Sequence, residues 1–228
     1  MKTIIKRDEF KITQDDINVN RFSILFSMNS EALIRSIVST KIILGATVSE
    51  NYNLVSFNAS SVESFKQYQN GLKEVSYNVR LKMVLDLSLQ LNYLIKMCNN
   101  TFIGYSPENL IVIDGNKFIY LSNEYLLDID EEEEITITFP FSQNDFLMSP
   151  ELYNIRELPA KVHYKTAYFS LGSIIICDID FLRDEDDKTM YKKTINKLDS
   201  SRIRGSKLYW LIKRCLDEEP KRRSILFI

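Results

Sequence analysis

Residues 102–113, with the sequence FIGYSPENLIVI, decide how the fold of this chain is interpreted. They follow YNVRLKMVLDLSLQLNYLIKMC, residues 77–98, in which apolar side chains recur at spacings of three and four. The recurring apolar positions are Val84, Leu87, Leu91, Leu94, Ile95 and Cys98. This spacing predicts a long helix with one buried face, and Asp86 and Gln90 lie mostly off that face.

A β-hairpin is predicted directly after this loop. The apolar runs NLIVI and KFIYL are separated by Asp114, Gly115 and Asn116. Asp-Gly between two such runs is a strong hairpin signal, because both residues accept the left-handed backbone of a tight turn. The chain therefore places a long helix, a loop ending in Pro-Glu-Asn and a hairpin in succession.

The remaining elements run from strands to helices. Residues 21–28, 41–48 and 51–57 are predicted as strands, and Ser30 is predicted to cap a helix that starts at Glu31. Further along, AYFSLGSIIICDI (167–179) is too apolar for a surface helix, and LYWLIKRCLDEEPKRRSILFI (208–228) predicts a helix, a break at proline and the start of another helix. This order predicts an α+β protein with two lobes.

Composition excludes several classes of function. The formal net charge of −2 gives no field that favours nucleic acid or an anionic membrane. Three distant cysteines (Cys98, Cys177 and Cys215) fit neither a disulfide framework nor a zinc site. His163 is the single histidine and is expected at the surface or beside a helix, with no assigned role. We expect no signal peptide and no membrane insertion, since no apolar run approaches about 18 residues.

Four motifs in succession are similar to those of protein kinases. FIGYSPENLIVI resembles the catalytic loop HRDLKPENILL, and SPEL (149–152) resembles the Ala-Pro-Glu that closes an activation segment. YFSLGSIII (168–176) resembles the core helix DVWSLGVIL, and CLDEEPKRRS (215–224) resembles CLxxDPxxRPT. The resemblance implies one bilobal kinase-like domain. Its amino-terminal lobe, residues 1–57, is reduced, and its carboxyl lobe, residues 58–228, is truncated and mainly helical.

The same resemblance implies that the catalytic groups are lost. The catalytic aspartate falls on Gly104, which has no side chain to act as a base, and the loop lysine falls on Ser106. The metal-binding aspartate of the Asp-Phe-Gly motif falls on Ser122 or Asn123, neither of which is a carboxylate. One position survives: Asn109 matches the metal-binding asparagine, but one neutral amide cannot hold two Mg²⁺ ions.

The amino-terminal lobe also departs from the kinase pattern. A phosphate-covering loop needs glycines, and the first glycine of the chain is Gly45. The third-strand lysine is missing from RFSILFSM, residues 21–28. We therefore expect a pseudokinase that binds no ATP, no metal and no other cofactor. A poxvirus-type kinase that has rearranged its catalytic groups is the enzymatic alternative.

Structural residues of the kinase pattern are retained. Glu151 and Arg223 match the two residues that form a buried ion pair in kinases, and Phe102, in place of the motif's histidine, keeps an apolar core contact. The aspartate of the core helix is replaced by Ala167, so its anchoring contact is expected to be lost.

Two surface features are left open by the sequence. Tyr153, Ile155 and Leu158 lie where a kinase lobe presents a docking surface, and partner contact and ordinary packing are equally compatible with them. The acidic run 128–134 is interpreted as a solvated loop rather than a calcium site or a mimic of a phosphorylated loop.

Within the kinase-like proteins, the run from Glu31 to Asn92 most resembles the mixed lineage kinase domain-like (MLKL) pseudokinases, especially homologues carried by poxviruses. The membrane-permeabilising four-helix bundle of that family is expected to be absent, since the kinase-like part begins almost at Met1. The resemblance implies a decoy in the host cytoplasm that binds the host receptor-interacting kinase upstream of MLKL and blocks necroptosis. A scaffold or allosteric regulator of another viral or host kinase is the alternative.

Overall fold

The computed structural model describes residues 1–72, 75–142, 147–176 and 190–225. Twelve strands and seven α-helices are found in these ranges. They are β1 (Lys2–Lys6), β2 (Phe10–Gln14), β3 (Arg21–Phe26), α1 (Glu31–Ser39), β4 (Thr47–Val48), β5 (Leu54–Asn58), β6 (Val62–Ser64), α2 (Phe65–Asn70), α3 (Tyr77–Tyr93), β7 (Asn100–Phe102), β8 (Leu110–Ile113), β9 (Lys117–Tyr120), β10 (Leu126–Asp128), β11 (Glu134–Ile137), α4 (Pro150–Tyr153), β12 (Ala160–His163), α5 (Thr166–Ile176), α6 (Met190–Asp199) and α7 (Lys207–Cys215). The chain is thus an α+β protein, as the sequence predicts.

The chain divides into two compact units. Unit 1 comprises residues 1–75, 86–100 and 108–126, and unit 2 comprises residues 76–85, 101–107 and 127–228. The lobe boundary expected after residue 57 stays a prediction. Among the described residues, no helix has both the length and the apolar composition needed to cross a bilayer.

Unit 1 is built on a five-stranded antiparallel sheet with the strand order β1-β2-β3-β5-β4. Its buried side chains alternate along the strands, as period-two patterning requires. The alternating set includes Phe10, Ile12, Phe22, Ile24, Val55 and Phe57. Helix α1 lies in the sequence between β3 and the last two strands and buries Leu33, Ile34 and Ile37.

Two local predictions in unit 1 are confirmed only in part. The strand predicted over 41–48 exists only at Thr47–Val48, since Lys41 and Gly45 adopt left-handed backbone conformations that interrupt an extended run. Ser30 does precede α1, but its hydroxyl donates to the Met28 carbonyl. The amide of Glu31 is bonded instead by the Asn29 side chain, at 3.1 Å.

Helix α3 buries more than the predicted stripe. Asp86 and Gln90, predicted mostly off the buried face, are themselves buried. Gln90 accepts a hydrogen bond from the Tyr120 amide at 2.9 Å and donates to the Tyr120 carbonyl at 2.8 Å. Asp86 accepts from the Phe118 amide at 3.0 Å. These polar groups bond to the backbone of β9, so burial here depends on partners that helical periodicity cannot reveal.

The predicted hairpin is confirmed. Strands β8 and β9 pair antiparallel, from Leu110 opposite Tyr120 to Ile113 opposite Lys117. The turn places Asp114 and Gly115 at positive φ, the conformation that favours Asp-Gly. Bonds to Lys117 and Ser60 outweigh the effect of burial and hold the pKa of Asp114 at about 2.

Unit 2 is organised around α5. All of its residues except Tyr168 are buried. This confirms the predicted core helix as far as Ile176. Residues 177–179 of that prediction, which include Cys177, lie outside the described residues. A Cβ atom at Gly172 would lie 2.9 Å from the Cys215 side chain. Glycine is therefore required for α5 and α7 to approach this closely. The start of a helix predicted near the end of the chain also falls largely outside the described residues.

Candidate functional site

The side chain of Glu9 is the centre of a hydrogen-bonded cluster in unit 1. Its Oε1 atom accepts from Asn109 Nδ2 at 3.2 Å and from Ser122 Oγ at 3.1 Å. Its Oε2 atom accepts from the backbone amides of Asn123 at 2.5 Å and Glu124 at 2.8 Å. Four donors, separated from Glu9 by 100 to 115 residues in the sequence, therefore surround one carboxylate.

The turn between β1 and β2 positions Glu9. The amide and hydroxyl of Ser27 both donate to the Glu9 carbonyl, at 2.9 and 3.1 Å. Arg7, at the start of the turn, donates to the Glu108 carbonyl at 3.2 Å and forms an ion pair with the Glu108 carboxylate at 2.8 Å. Backbone and side-chain bonds thus hold the turn against the segment that carries Asn109.

The donors are positioned by the hairpin of β8 and β9. Asn109 directly precedes β8, and its carbonyl accepts from the Leu121 amide at 2.9 Å, just past the end of β9. Ser122 follows and is only 1% exposed. The base of the hairpin therefore brings the Asn109 and Ser122 side chains to the same carboxylate oxygen of Glu9, Oε1.

The electrostatics of this cluster suit an anion. The two backbone amides are donors that cannot become acceptors, and both are directed at Glu9 Oε2. A cation beside this oxygen would face these N–H dipoles. The arrangement resembles the amide clusters that bind carboxylate or phosphate oxygens. Among the sequence-predicted positions, Asn109, Ser122 and Asn123 are brought together here.

No protein-family model matches this chain, and no curated protein matches it. The resemblance to protein kinases therefore stays a prediction based on the motifs quoted above.

The loop residues Phe102, Gly104 and Ser106 are buried in unit 2. Phe102 is fully buried and packs edge to face on Tyr105, with ring centroids 5.5 Å apart. The amide of Tyr105 donates to Ser170 Oγ at 2.7 Å. Ser170 on α5 therefore anchors the loop. It lies three residues after Ala167, the position at which the sequence predicts the loss of an anchoring contact.

Glu151 and Arg223 are brought together in unit 2. Arg223 Nη2 donates to Glu151 Oε2 at 2.8 Å, and Nη1 donates to the other carboxylate oxygen. The Arg223 side chain is 0% exposed, and it also donates to the carbonyls of Asp217, Glu218 and Lys165. Its guanidinium lies over the Phe169 ring, 5.1 Å from the centroid.

The candidate partner surface is only partly exposed. Leu158 is 40% exposed, whereas Tyr153 and Ile155 are half-buried. The Tyr153 hydroxyl is buried and has no hydrogen-bond partner among the described residues. The structure therefore offers one exposed apolar side chain, Leu158, beside two that are largely packed.

The acidic run is largely exposed and contacts one lysine. Lys161 binds Asp130 at 2.8 Å and Glu132 at 2.9 Å. These side-chain bonds raise the pKa of Lys161 and lower that of Asp130. One carboxylate oxygen each from Asp130, Glu132 and Glu134 lies within 4.8 Å of the others. Because the ammonium group already bonds two of these exposed carboxylates, the cluster does not by itself indicate a metal site.

His163 was expected at the surface or beside a helix; the surface position is wrong, whereas the helix-flanking position is confirmed, because α5 begins three residues later at Thr166. It ends β12, where its side chain is only 9% exposed. Its Nδ1 accepts from the Lys165 amide at 3.2 Å and its ring stacks on Tyr164. Burial lowers the pKa of His163.

Burial also raises the pKa of the Cys215 thiol to about 12. A thiol with this pKa is not a nucleophile at neutral pH.

Sequence reasoning missed Glu9 as a site residue. It lies in the polar turn RDEF, a composition shared by many solvated turns. The resemblance assigns the lost metal-binding aspartate to Ser122 or Asn123, and the Ser122 hydroxyl and the Asn123 backbone amide both bond Glu9. No local pattern distinguished Glu9, because its four donors lie 100 to 115 residues away in the sequence.

Proposed function

We propose that this chain is a catalytically inactive, bilobal protein kinase-like protein that acts by binding a partner. The observation that carries this proposal is the position of Glu9. Its carboxylate bonds the side chains of Asn109 and Ser122. The resemblance assigns metal binding to Asn109 and to Ser122 or Asn123. Phosphoryl transfer needs a metal-binding aspartate at the Ser122 or Asn123 position, beside the asparagine, to hold Mg²⁺ against a triphosphate.

Three features support the kinase-like part of the proposal. A helix is inserted after the third strand of an antiparallel sheet, which is the order implied for the amino-terminal lobe. A long helix, a loop and a hairpin follow in the order of the catalytic region. Glu151 and Arg223 form the ion pair that the motifs imply.

Loss of catalysis is supported by the chemistry of the substituted positions. Gly104 provides no base, and Ser122 and Asn123 provide no carboxylate. Glu9 is a carboxylate in the same cluster, but two backbone N–H groups face one of its oxygens. It is therefore positioned as the acceptor of hydrogen bonds rather than as a ligand of Mg²⁺.

The proposed role is that of a decoy in the host cytoplasm. In this proposal the chain binds the host receptor-interacting kinase upstream of MLKL and so prevents activation of the necroptosis pathway. The support is the resemblance of residues 31–92 to the MLKL family together with the loss of catalytic groups. Such a protein needs only a folded surface, so retention of core residues without catalytic ones is consistent with the role.

Mg²⁺·ATP is expected to leave the thermal stability unchanged. A ligand present at about 100 times its Kd would add about 2.7 kcal/mol to the stability, which corresponds to a rise in Tm of roughly 5–11 °C for a chain of this size. We expect no rise in a thermal-shift assay and no transfer of labelled phosphate to a peptide substrate. A rise that requires Mg²⁺, accompanied by phosphate transfer, would instead favour the rearranged active kinase.

The purified chain is expected to co-precipitate with the kinase domain of the host receptor-interacting kinase. Replacing exposed Leu158 with glutamate should weaken this binding at least about tenfold, since a charge in the core of an interface is desolvated. Leu44→Glu is the matched control, because Leu44 is also an exposed leucine and lies in unit 1. Absence of binding at micromolar concentrations would contradict the proposed partner. Capture of a different kinase would support the scaffold alternative.

A further inference from the structure

The four groups that bond the Glu9 carboxylate would remain as hydrogen-bond donors if the Glu9 side chain were removed. They are the Asn109 side-chain amide, the Ser122 hydroxyl and the backbone amides of Asn123 and Glu124. Each donates a hydrogen to the same carboxylate. An oxyanion with oxygens at similar positions would satisfy the same donors.

The donors are held in place independently of Glu9. The Leu121 amide bonds the Asn109 carbonyl at 2.9 Å, and Ser122 is almost fully buried just beyond β9. Asn123 is also connected elsewhere, through its side-chain amide and the Asn29 carbonyl at 3.5 Å. The site therefore has a backbone that does not need the Glu9 carboxylate to define its shape.

We propose that these four donors form a binding site for a phosphate group, and that Glu9 keeps it occupied in the native protein. A phosphate oxyanion accepts hydrogen bonds as a carboxylate does, and backbone amides that converge on one point are a common way of binding it. Glu9 thus acts as an intramolecular ligand that excludes phosphate from solution. This inference rests on the geometry of unit 1 and does not depend on the decoy function.

A cation site does not fit the same geometry. The backbone amides of Asn123 and Glu124 can only donate, and both are directed at Glu9 Oε2. A metal ion bound to this oxygen would have to displace them, because it would repel their hydrogens at that distance. Phosphate requires no such rearrangement.

The test is phosphate binding by Glu9→Ala, measured by line broadening of the ³¹P resonance of inorganic phosphate at constant ionic strength. Asp8→Ala is the matched control, because it removes the same charge from the adjacent, exposed position of the same turn. We expect Glu9→Ala to bind phosphate at least tenfold more tightly than the native chain or Asp8→Ala does. Adding Ser122→Ala to Glu9→Ala should weaken this binding.

A second arm uses ATP without Mg²⁺ in place of inorganic phosphate. Equal affinities would indicate recognition of the phosphate group alone, whereas tighter ATP binding would indicate additional contacts to the nucleoside; both results support a phosphate site. The proposal is overturned if Glu9→Ala binds neither ligand more tightly than Asp8→Ala does.

Hydrogen exchange in the native chain provides a measurement that does not require the alanine variant to fold. The amides of Asn123 and Glu124 should be protected in the native chain and in Asp8→Ala. In Glu9→Leu, which fills a similar space but carries no hydrogen-bond acceptor, protection of both amides should decrease at least tenfold. Amides that exchange equally fast in the native chain and in Glu9→Leu would overturn the role of Glu9 as the bound ligand.

Discussion

Replacing Glu151 with alanine is expected to lower the free energy of unfolding by about 3–5 kcal/mol. The reason is that Arg223 is 0% exposed. Without its carboxylate partner, the guanidinium would remain desolvated with only carbonyl acceptors. For a chain of this length, the loss corresponds to a fall in Tm of roughly 6–20 °C. Urea denaturation monitored by circular dichroism would measure the change directly.

The matched control is Glu31→Ala. Glu31 also pairs with an arginine, Arg35, but both side chains are about half exposed. Such exposed pairs contribute about 0.3–0.5 kcal/mol, and even with the favourable helix-start position of Glu31 the loss should stay within about 1.5 kcal/mol. If Glu151→Ala were no more destabilising than Glu31→Ala, the ion pair would not be the structural element proposed.

Gln90→Leu is expected to destabilise the protein by about 2–4 kcal/mol. Gln90 is fully buried and bonds both the amide and the carbonyl of Tyr120. Leaving a buried donor or acceptor without its partner costs about 1–3 kcal/mol for each group, and the apolar leucine offsets part of this loss. The same denaturation experiment, together with faster exchange of the Tyr120 amide, would report the effect.

Gln69→Leu provides the comparison for this substitution. Gln69 lies on α2 and is partly exposed, so the same chemical change should alter stability by no more than about 0.5 kcal/mol. Similar stabilities for the two variants would contradict a structural role for the Gln90 bonds.

The fold was predictable wherever local patterns determine it. The apolar spacing of α3 and the Asp114-Gly115 turn identify a helix and a hairpin, because helical periodicity and positive φ depend on neighbours in sequence. Residues 41–48 were misassigned for the opposite reason. Their β-branched composition favours a strand, but the left-handed conformations of Lys41 and Gly45 end the extended run, so only its last two residues pair with β5.

The candidate site was only half predictable. Motif spacing identified Asn109 on one side of a hairpin and Ser122 or Asn123 on the other. Glu9 could not be identified, because it contacts Asn109 and Ser122 across 100 and 113 positions of sequence and lies in a polar turn of ordinary composition. Burial of Gln90 was missed for a similar reason, since its partners are backbone groups of β9 rather than side chains with a recognisable pattern.

Tethering of Glu9 to the β1–β2 turn determines how its site responds to concentration. An intramolecular ligand acts at an effective concentration on the order of millimolar or higher, independent of what the surrounding solution contains. A free ligand of equal intrinsic affinity would have to exceed that concentration to occupy half of the sites. Fluctuations in small-molecule levels would therefore leave the occupancy of this cluster nearly constant.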